Sequence, residues 1–232
     1  RALIRAGNYE NWEKSGLWKS WDPQGVLVSE GGYVEGEKVD KWIWYEKGKD
    51  VGWEENYSNG LLNGKFHNLS PHSLNRGRGA YVDGVKTGDW KEYFIGKEGS
   101  LALKQEGSYQ FGKKESVWSH YKKEDNSIIE SNINKSRKIA SGPYSQDIKT
   151  GEWTEGPDID LGYLFYGRGQ YENNQKSGEW KYVAPQENPT ITGSFSGGKP
   201  SGTWVVLYNK KTYKGTLEDV IKKVPKLNEY KF

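Results

Sequence analysis

One motif recurs along the chain and constrains its fold more than any other feature. In its clearest copy, residues 79–93, it reads G-x-Y-x-x-G-x-K-x-G-x-W-x-x-Y. Two segments with aromatic residues flank a seven-residue connection marked by glycines, which predicts a β-hairpin with a loose turn. A repeated motif makes the length of a chain a count of units, so we interpret the sequence as an array of hairpins.

Eight copies of the motif are recognisable, and the first four begin at a constant interval of 24 residues. The copies start at residues 7, 31, 55, 79, 107, 142, 169 and 193. Insertions fall between the later copies, at residues 94–106, 122–141 and 156–168. In repeat arrays such insertions map to loops on one face or edge.

Some copies lack a glycine of the connection. The replacements are Trp12, Asp40, Ser116, Asp147 and Asn174. Asn and Asp tolerate the left-handed backbone conformation best after glycine. We therefore expect the turn geometry to be kept where the glycine is replaced.

Composition limits the function classes. The 34 basic and 31 acidic residues nearly balance, which gives little support to nucleic-acid binding by phosphate neutralisation. The absence of cysteine excludes disulfides, thiol catalysis and thiolate metal sites. The chain contains 11 Trp and 16 Tyr, whose large rings are the expected source of a hydrophobic core.

The pattern changes after the eighth copy. Thr216 is a predicted helix N-cap, and Leu217, Val220, Ile221 and Val224 follow at helical spacing. We predict a short amphipathic helix that covers the open end of the array. The predicted domains are a hairpin array at residues 7–210 and a C-terminal cap at residues 211–232.

The motif and its period near 24 resemble the MORN repeat, and more closely the bacterial variant in the YwqK-type antitoxin family. The resemblance covers about residues 7–207. It implies an all-β fold in which stacked antiparallel hairpins form an elongated, twisted and curved single sheet of about eight units. It also implies a scaffold for proteins or near lipids without catalytic machinery, and the bacterial variant is linked to toxin neutralisation. Choline-binding repeats share the richness in Gly, Trp and Tyr but have a period nearer twenty.

The aromatic residues of the motif are expected to pack in the core, because the chain is poor in aliphatic residues. They are Tyr9, Tyr33, Tyr57, Tyr81, Tyr109, Tyr144 and Tyr171, with Trp18, Trp42, Trp90, Trp118, Trp153, Trp180 and Trp204. Aromatic rings that the motif does not require are candidates for partner binding, since Trp and Tyr dominate interface energies. These are Trp12, Trp44, Trp53, Phe94, Tyr163, Phe165 and Tyr166. Extra packing or capping of the ends is the alternative for them.

A lysine occupies one position of the connection in six copies. The six are Lys14, Lys38, Lys86, Lys114, Lys149 and Lys176. In register they would form a line of positive charge along one edge, attractive to anionic lipid or an acidic protein. The alternative is that they keep the edge soluble and discourage pairing between sheets.

No catalytic or metal site is predicted. His67 and His72 lack a nearby carboxylate, and His120 stands alone. The fragments 77–79 and 167–169, each Gly-Arg-Gly, lack the context of a phosphate-binding loop and are interpreted as turns. No cofactor is expected.

The sequence thus predicts a non-enzymatic protein-binding module, and an immunity or antitoxin-type protein that neutralises a toxin is the most concrete version. The alternative is an envelope or surface protein that binds glycan or anionic lipid through exposed aromatics and the lysine row. We expect a protein partner, no nucleic acid, and at most contact with a membrane surface rather than a span. The chain begins at Arg1 and has no methionine, which a removed signal peptide or trimming would explain. A periplasmic or cell-surface location is favoured over a cytoplasmic one.

Overall fold

A computed structural model of the chain describes residues 4–46, 50–70, 76–95, 100–123, 133–134, 136–156, 165–184, 189–224 and 227. The chain forms two compact units. The N-terminal unit comprises residues 1–113 and 123–135, and the C-terminal unit comprises residues 114–122 and 136–232.

Strands dominate both units. The first ten are β1 (Ile4–Glu10), β2 (Glu13–Trp21), β3 (Leu27–Val34), β4 (Glu37–Glu46), β5 (Asp50–Ser58), β6 (Leu61–Leu62), β7 (Gly64–Asn68), β8 (Gly77–Val82), β9 (Val85–Ile95) and β10 (Leu101–Gln110). The others are β11 (Lys113–Lys123), β12 (Ile133–Asn134), β13 (Ser136–Ser145), β14 (Ile148–Lys149), β15 (Gly151–Glu155), β16 (Tyr166–Glu172), β17 (Gln175–Val183), β18 (Thr190–Ser196), β19 (Lys199–Tyr208) and β20 (Lys211–Gly215), and the helix α1 is Leu217–Lys223.

Successive strands pair antiparallel within each unit. In the N-terminal unit the pairing runs from β1 to β5, then through β7, β8 and β9 to β10. In the C-terminal unit it runs from β13 through β15 to β20. A two-residue parallel pairing joins β10 to β12. The predicted all-β class, built of antiparallel hairpins with a short C-terminal helix, is confirmed.

The hairpin turns are tighter than the sequence analysis predicted. In the fourth copy Val82 pairs with Val85, so only Asp83 and Gly84 form the turn. Both have positive φ, 48° and 78°, as the two-residue type I′ turn requires. The predicted seven-residue connection is wrong, because its later residues already belong to β9. Gly88, with φ 63°, bends that strand and does not end it.

The replacements for glycine keep the left-handed backbone, as predicted. The φ values are 67° at Trp12, 57° at Asp40, 61° at Ser116, 68° at Asp147 and 65° at Asn174. The sequence therefore preserves the turn and the bend while it changes the side chain.

One backbone hydrogen bond recurs between neighbouring copies. The N–H of the second turn residue donates to the carbonyl of the preceding copy, at the position that usually holds the motif lysine. The pairs are Gly36 to Lys14, Gly60 to Lys38, Gly84 to Leu62 and Gly112 to Lys86 in the N-terminal unit, and Asp147 to Lys114, Asn174 to Lys149 and Gly198 to Lys176 in the C-terminal unit. Asp147 and Asn174 also accept, through Oδ1, from the backbone N–H of that lysine at 2.7 Å. This second bond explains why Asp and Asn replace glycine there.

Six of the seven motif tryptophans are shown to pack on a glycine of the neighbouring strand. A Cβ atom on Gly79 would lie 2.2 Å from Cε2 of Trp90, so only glycine leaves room for the indole. The Nε1–H of Trp90 donates to the carbonyl of Ala80 at 3.1 Å. The seven motif tryptophans are all buried, which confirms their predicted packing role. Gly77 and Gly79 lie within β8, so the interpretation of residues 77–79 as a turn is wrong, and residues 167–169 likewise lie within β16.

The third copy changes both partners of this contact. Glu55 replaces the glycine, and Phe66 replaces the tryptophan. A phenyl ring is smaller than an indole, so it takes less of the space that a side chain at residue 55 needs. We expect the two substitutions to compensate each other.

The C-terminal helix forms as predicted. Asp219 N–H donates to Thr216 Oγ1 at 3.2 Å and Thr216 N–H to Asp219 Oδ2 at 3.3 Å, a capping box. Val220 and Val224 are fully buried and join the core of the C-terminal unit that contains Trp204. The helix thus covers the tryptophan-bearing face of the last strands, and β20 pairs with β19 just before it.

Candidate interaction surface

Within each unit the motif tryptophans lie on one face of the strands, which we call the tryptophan face. There the motif lysines of the unit are in register, but their ammonium groups lie over rings and do not project from the edge. Nζ lies 4.2–4.7 Å from the ring centroid of the tryptophan in the same copy. Five of them also lie 4.7–5.1 Å from the tyrosine of the next copy. These contacts form a cation–π ladder. The sequence analysis predicted either a line of charge that attracts anions or a soluble edge, and neither prediction included the ladder.

Burial in the ladder has an electrostatic cost. Desolvation lowers the pKa of Lys38 and of Lys149, although the carboxylates of Glu55 and Glu155 oppose the shift. The motif tyrosines pack edge-on against the tryptophans. The ring of Tyr81, for example, lies 5.1 Å from that of Trp90 at an interplanar angle of 83°. The tyrosines are mostly half-buried, as expected of packing rings, but Tyr9 is 64% exposed.

A second row on the tryptophan face varies from copy to copy. It lies two residues after the motif tryptophan, or after Phe66 in the third copy, so its side chains point the same way. We call it the variable row: Ser20, Trp44, Asn68 and Glu92 in the N-terminal unit, and His120, Glu155, Tyr182 and Val206 in the C-terminal unit. A row that changes chemistry on a constant scaffold is suited to selectivity.

Glu92, in the variable row, is held by three donors. It accepts from Lys86 Nζ at 2.7 Å, from Gln105 Nε2 at 2.6 Å and from the hydroxyl of Tyr109 at 3.0 Å. Desolvation raises the pKa of Glu92, but these contacts together outweigh it and hold the pKa below its ordinary value. The carboxylate is therefore fixed in its charged form.

Glu155 repeats this arrangement in the C-terminal unit. It accepts from the hydroxyl of Tyr171 at 2.6 Å and from Lys176 Nζ at 2.9 Å. Burial and the neighbouring carboxylate raise the pKa of Tyr171 well above its ordinary value. These polar groups therefore satisfy one another's hydrogen-bonding capacity.

The structure brings two of the predicted partner-binding rings together. Trp44 and Trp53 pair across β4 and β5 and stack with ring centroids 5.4 Å apart at 8°. Lys38 Nζ lies 4.8 Å from Trp44, so the pair extends the ladder. Both rings are half-buried and offer their outer parts for contact.

Trp12 is placed differently. It is the second residue of the first turn, and 97% of its surface is exposed. The other turns have Gly, Asp, Asn or Lys at this position. A bulky residue with φ 67° is uncommon, and the ring has no packing role that would offset the strain.

The remaining predicted rings differ in their surroundings. Phe94, on β9, is half-buried beside a small cavity, and Tyr166 is 54% exposed on β16. Phe165 is buried in the core of the C-terminal unit, so its ring packs and is not presented for contact. Tyr163 lies outside the described residues.

Sequence reasoning missed two cations, Arg76 and Lys104. Each lies three residues before the start of its copy. The other copies have Ile4, Val28, Gly52, Ile139, Tyr166 and Thr190 at that position. An alignment of the copies extended upstream of the motif would have shown that only two adjacent copies carry a cation there.

Histidines do not assemble a metal site in the part of the chain that the structure describes, where no cluster of three metal-ligating side chains occurs. His67 Nε2 accepts from Arg78 Nε at 3.0 Å, and His120 lies 3.3 Å from the hydroxyl of Tyr144. His72 lies outside the described residues.

Fold and surface together define a β-hairpin repeat protein with a helical cap. Neither a protein-family model nor any curated protein matches the chain. Among the described residues, no helix has the length and apolar character needed to cross a bilayer.

Proposed function

We propose that the chain is a non-enzymatic protein-binding module, with an immunity or antitoxin-type role as its most concrete form. Trp12 carries the proposal, because it combines near-complete exposure with a backbone conformation that disfavours its side chain. The resemblance of the motif to the antitoxin family supports the specific version.

The energetic argument concerns what Trp12 would gain in a complex. Burial of a tryptophan removes about 150–250 Å² from water, which corresponds to roughly 4–6 kcal/mol at about 25 cal/mol per Å². In the isolated chain none of this is realised, since 97% of the residue is exposed. Fully desolvated Trp residues are also the commonest anchors of protein interfaces.

Neighbouring exposed rings extend the surface. Tyr9, on the same hairpin, is 64% exposed, and the stacked pair of Trp44 and Trp53 lies on the tryptophan face of the second and third copies. The glycan or anionic-lipid alternative has less support, because the lysines on which it depends lie against rings.

Trp12→Gly is the decisive variant. It creates an Asn-Gly turn, which favours the hairpin, so the fold is expected to be kept or stabilised. Affinity capture with the wild type, followed by identification of the bound protein, defines the partner, and Trp12→Gly is expected to weaken its binding at least tenfold. Lys210→Gly is the matched control, because it creates the same turn after Asn209, φ 49°, at an exposed site.

Equal binding by wild type and Trp12→Gly would remove Trp12 from the interface. In that case Trp44→Ala combined with Trp53→Ala tests the remaining surface. If a folded variant that combines Trp12→Gly, Trp44→Ala and Trp53→Ala also binds normally, the proposed interface is wrong.

A further inference from the structure

A cavity of about 280 Å³ lies in the N-terminal unit, at the base of the hairpin formed by β8 and β9. Its walls include Phe66, Trp90 and Phe94, and four charged side chains reach it. The smaller ring of Phe66, where other copies have an indole, helps to open this space. A water molecule occupies roughly 30 Å³ in the liquid, so the cavity has room for a small ligand.

The charges in this cavity do not balance. Lys86 is paired with Glu92 at 2.7 Å, and Glu92 is the only carboxylate among the described lining residues. Arg76 and Lys104 therefore remain as two positive charges. Such a cavity concentrates anions.

Arg76 also has an unused donor. Its Nε is shut off from solvent and has no hydrogen-bond partner among the described residues. Desolvation lowers the pKa of the guanidinium. A buried donor without an acceptor is destabilising, so an acceptor is expected to enter the cavity.

The C-terminal unit contains the corresponding place in the repeat, which provides an internal comparison. The N–H of Tyr93 donates to the carbonyl of Arg76 at 3.3 Å, and the N–H of Gly156 donates to that of Ile139 at 2.6 Å. Ile139 lines a cavity of about 480 Å³ beside Glu155. The fold thus needs no arginine at this position.

Lys104 and Tyr166 correspond in the same way, three residues before the next copy. Lys104 lines the first cavity and Tyr166 the second. The positions of both cations thus hold uncharged residues in the C-terminal unit, where the cavity is instead lined by Lys138, Arg168 and Lys181.

We propose that the cavity beside Arg76 and Lys104 binds a small oxyanion, a carboxylate or a phosphate. A guanidinium binds either anion through paired N–H donors, and Lys104, an exposed lining residue, adds a point charge. The site does not depend on protein binding through Trp12, so the two proposals stand or fall separately.

Calorimetric titration of the purified chain with inorganic phosphate and with glutarate, at constant ionic strength set by chloride, tests the site. Binding of one equivalent of either anion, with a shift of the Arg76 Nε–H resonance, is the expected result. The preferred probe identifies the class of ligand. If neither phosphate nor glutarate binds in the presence of this chloride, the proposal is wrong.

Arg76→Ile places the residue of the counterpart cavity in the site. We expect affinity to fall at least tenfold while the melting temperature is kept or raised, because an unpaired buried donor is removed. Unchanged affinity for the anion would contradict the proposal, whether or not stability falls. Lys104→Tyr, at an exposed residue, gives a second test that does not threaten folding, with a fall of about threefold expected from loss of one screened charge.

Discussion

Trp90 lies against the backbone of Gly79 so closely that a Cβ atom on residue 79 would be 2.2 Å from Cε2 of the indole. The same contact joins Gly142 to Trp153 and Gly169 to Trp180. The first glycine of the motif is therefore a packing residue and not a turn residue.

Gly79→Ala is expected to destabilise the fold by about 3 kcal/mol or more, because the ring must move or the strands must separate. The control is Gly88→Ala, where nothing lies within 4 Å of the added Cβ and φ is 63°. There only backbone strain of about 1–2 kcal/mol is expected. Urea unfolding of both variants measures the difference, and equal losses would mean that the indole contact is not limiting.

Lys149→Met tests the cation–π ladder, because methionine keeps most of the hydrocarbon and removes the charge. Lys149 Nζ lies 4.3 Å from the Trp153 centroid and 4.7 Å from that of Tyr171. Desolvation, which lowers the pKa of Lys149, offsets part of the attraction. We therefore expect a loss of about 1 kcal/mol. Lys210→Met, at an exposed turn, should change the free energy of unfolding little, and a similar loss there would contradict this explanation.

Glu92→Gln is expected to reduce stability at pH 7 by about 1–3 kcal/mol, since three donors lose a charged acceptor. The folded pKa of Glu92 is below its ordinary 4.5, so the stabilisation is complete above pH 4.5 and is lost as pH falls through the folded pKa. Unfolding followed from pH 7 to pH 3 should show wild type and variant converge at low pH. Parallel curves would rule out the charged acceptor as the source.

Glu55→Gln is expected to have the opposite effect. Burial raises the pKa of Glu55 above its ordinary 4.5, although Tyr57 and Lys38 oppose the shift. The wild type therefore loses stability as pH rises from 4.5 through the folded pKa, whereas the variant does not. Glutamine keeps an oxygen for the Tyr57 hydroxyl, which donates to Glu55 Oε2 at 2.8 Å. Higher stability of the variant at pH 7 is the expected result, and lower stability would mean that the charge is compensated.

A double-mutant cycle tests the compensation in the third copy. Phe66→Trp alone should clash with Glu55 and cost about 1–3 kcal/mol. Glu55→Gly with Phe66→Trp restores the usual pair and should recover that loss, with a coupling of about 1 kcal/mol or more. Additive effects would indicate that residues 55 and 66 do not share space.

Much of the fold followed from the period, since glycine spacing predicted the hairpins and Thr216 with Leu217 predicted the helix. The tight turn was missed because Lys86 and Gly88 look like turn residues, whereas Gly88 makes a bend inside β9. The role of the lysines was missed because a linear motif does not tell which face a side chain covers or how near it lies to the next copy.

The candidate surfaces were predicted less well. Trp12 stood out because it breaks the motif, and its exposure agrees with that signal. Arg76 did not stand out, since it lies upstream of the motif, and the charge balance of a cavity depends on contacts between residues distant in sequence. Phe165 looked free in the sequence but is buried by neighbouring copies.

The hydrogen bond from each turn to the carbonyl of the copy before it has an evolutionary consequence. Because the joint is made by main-chain atoms, it does not depend on which side chains two adjacent copies carry. Gene segments that encode whole copies can therefore be duplicated or lost without inventing a new junction. The number of copies and the side chains that they carry can then change independently. Such a protein can diversify its surface while its architecture stays the same.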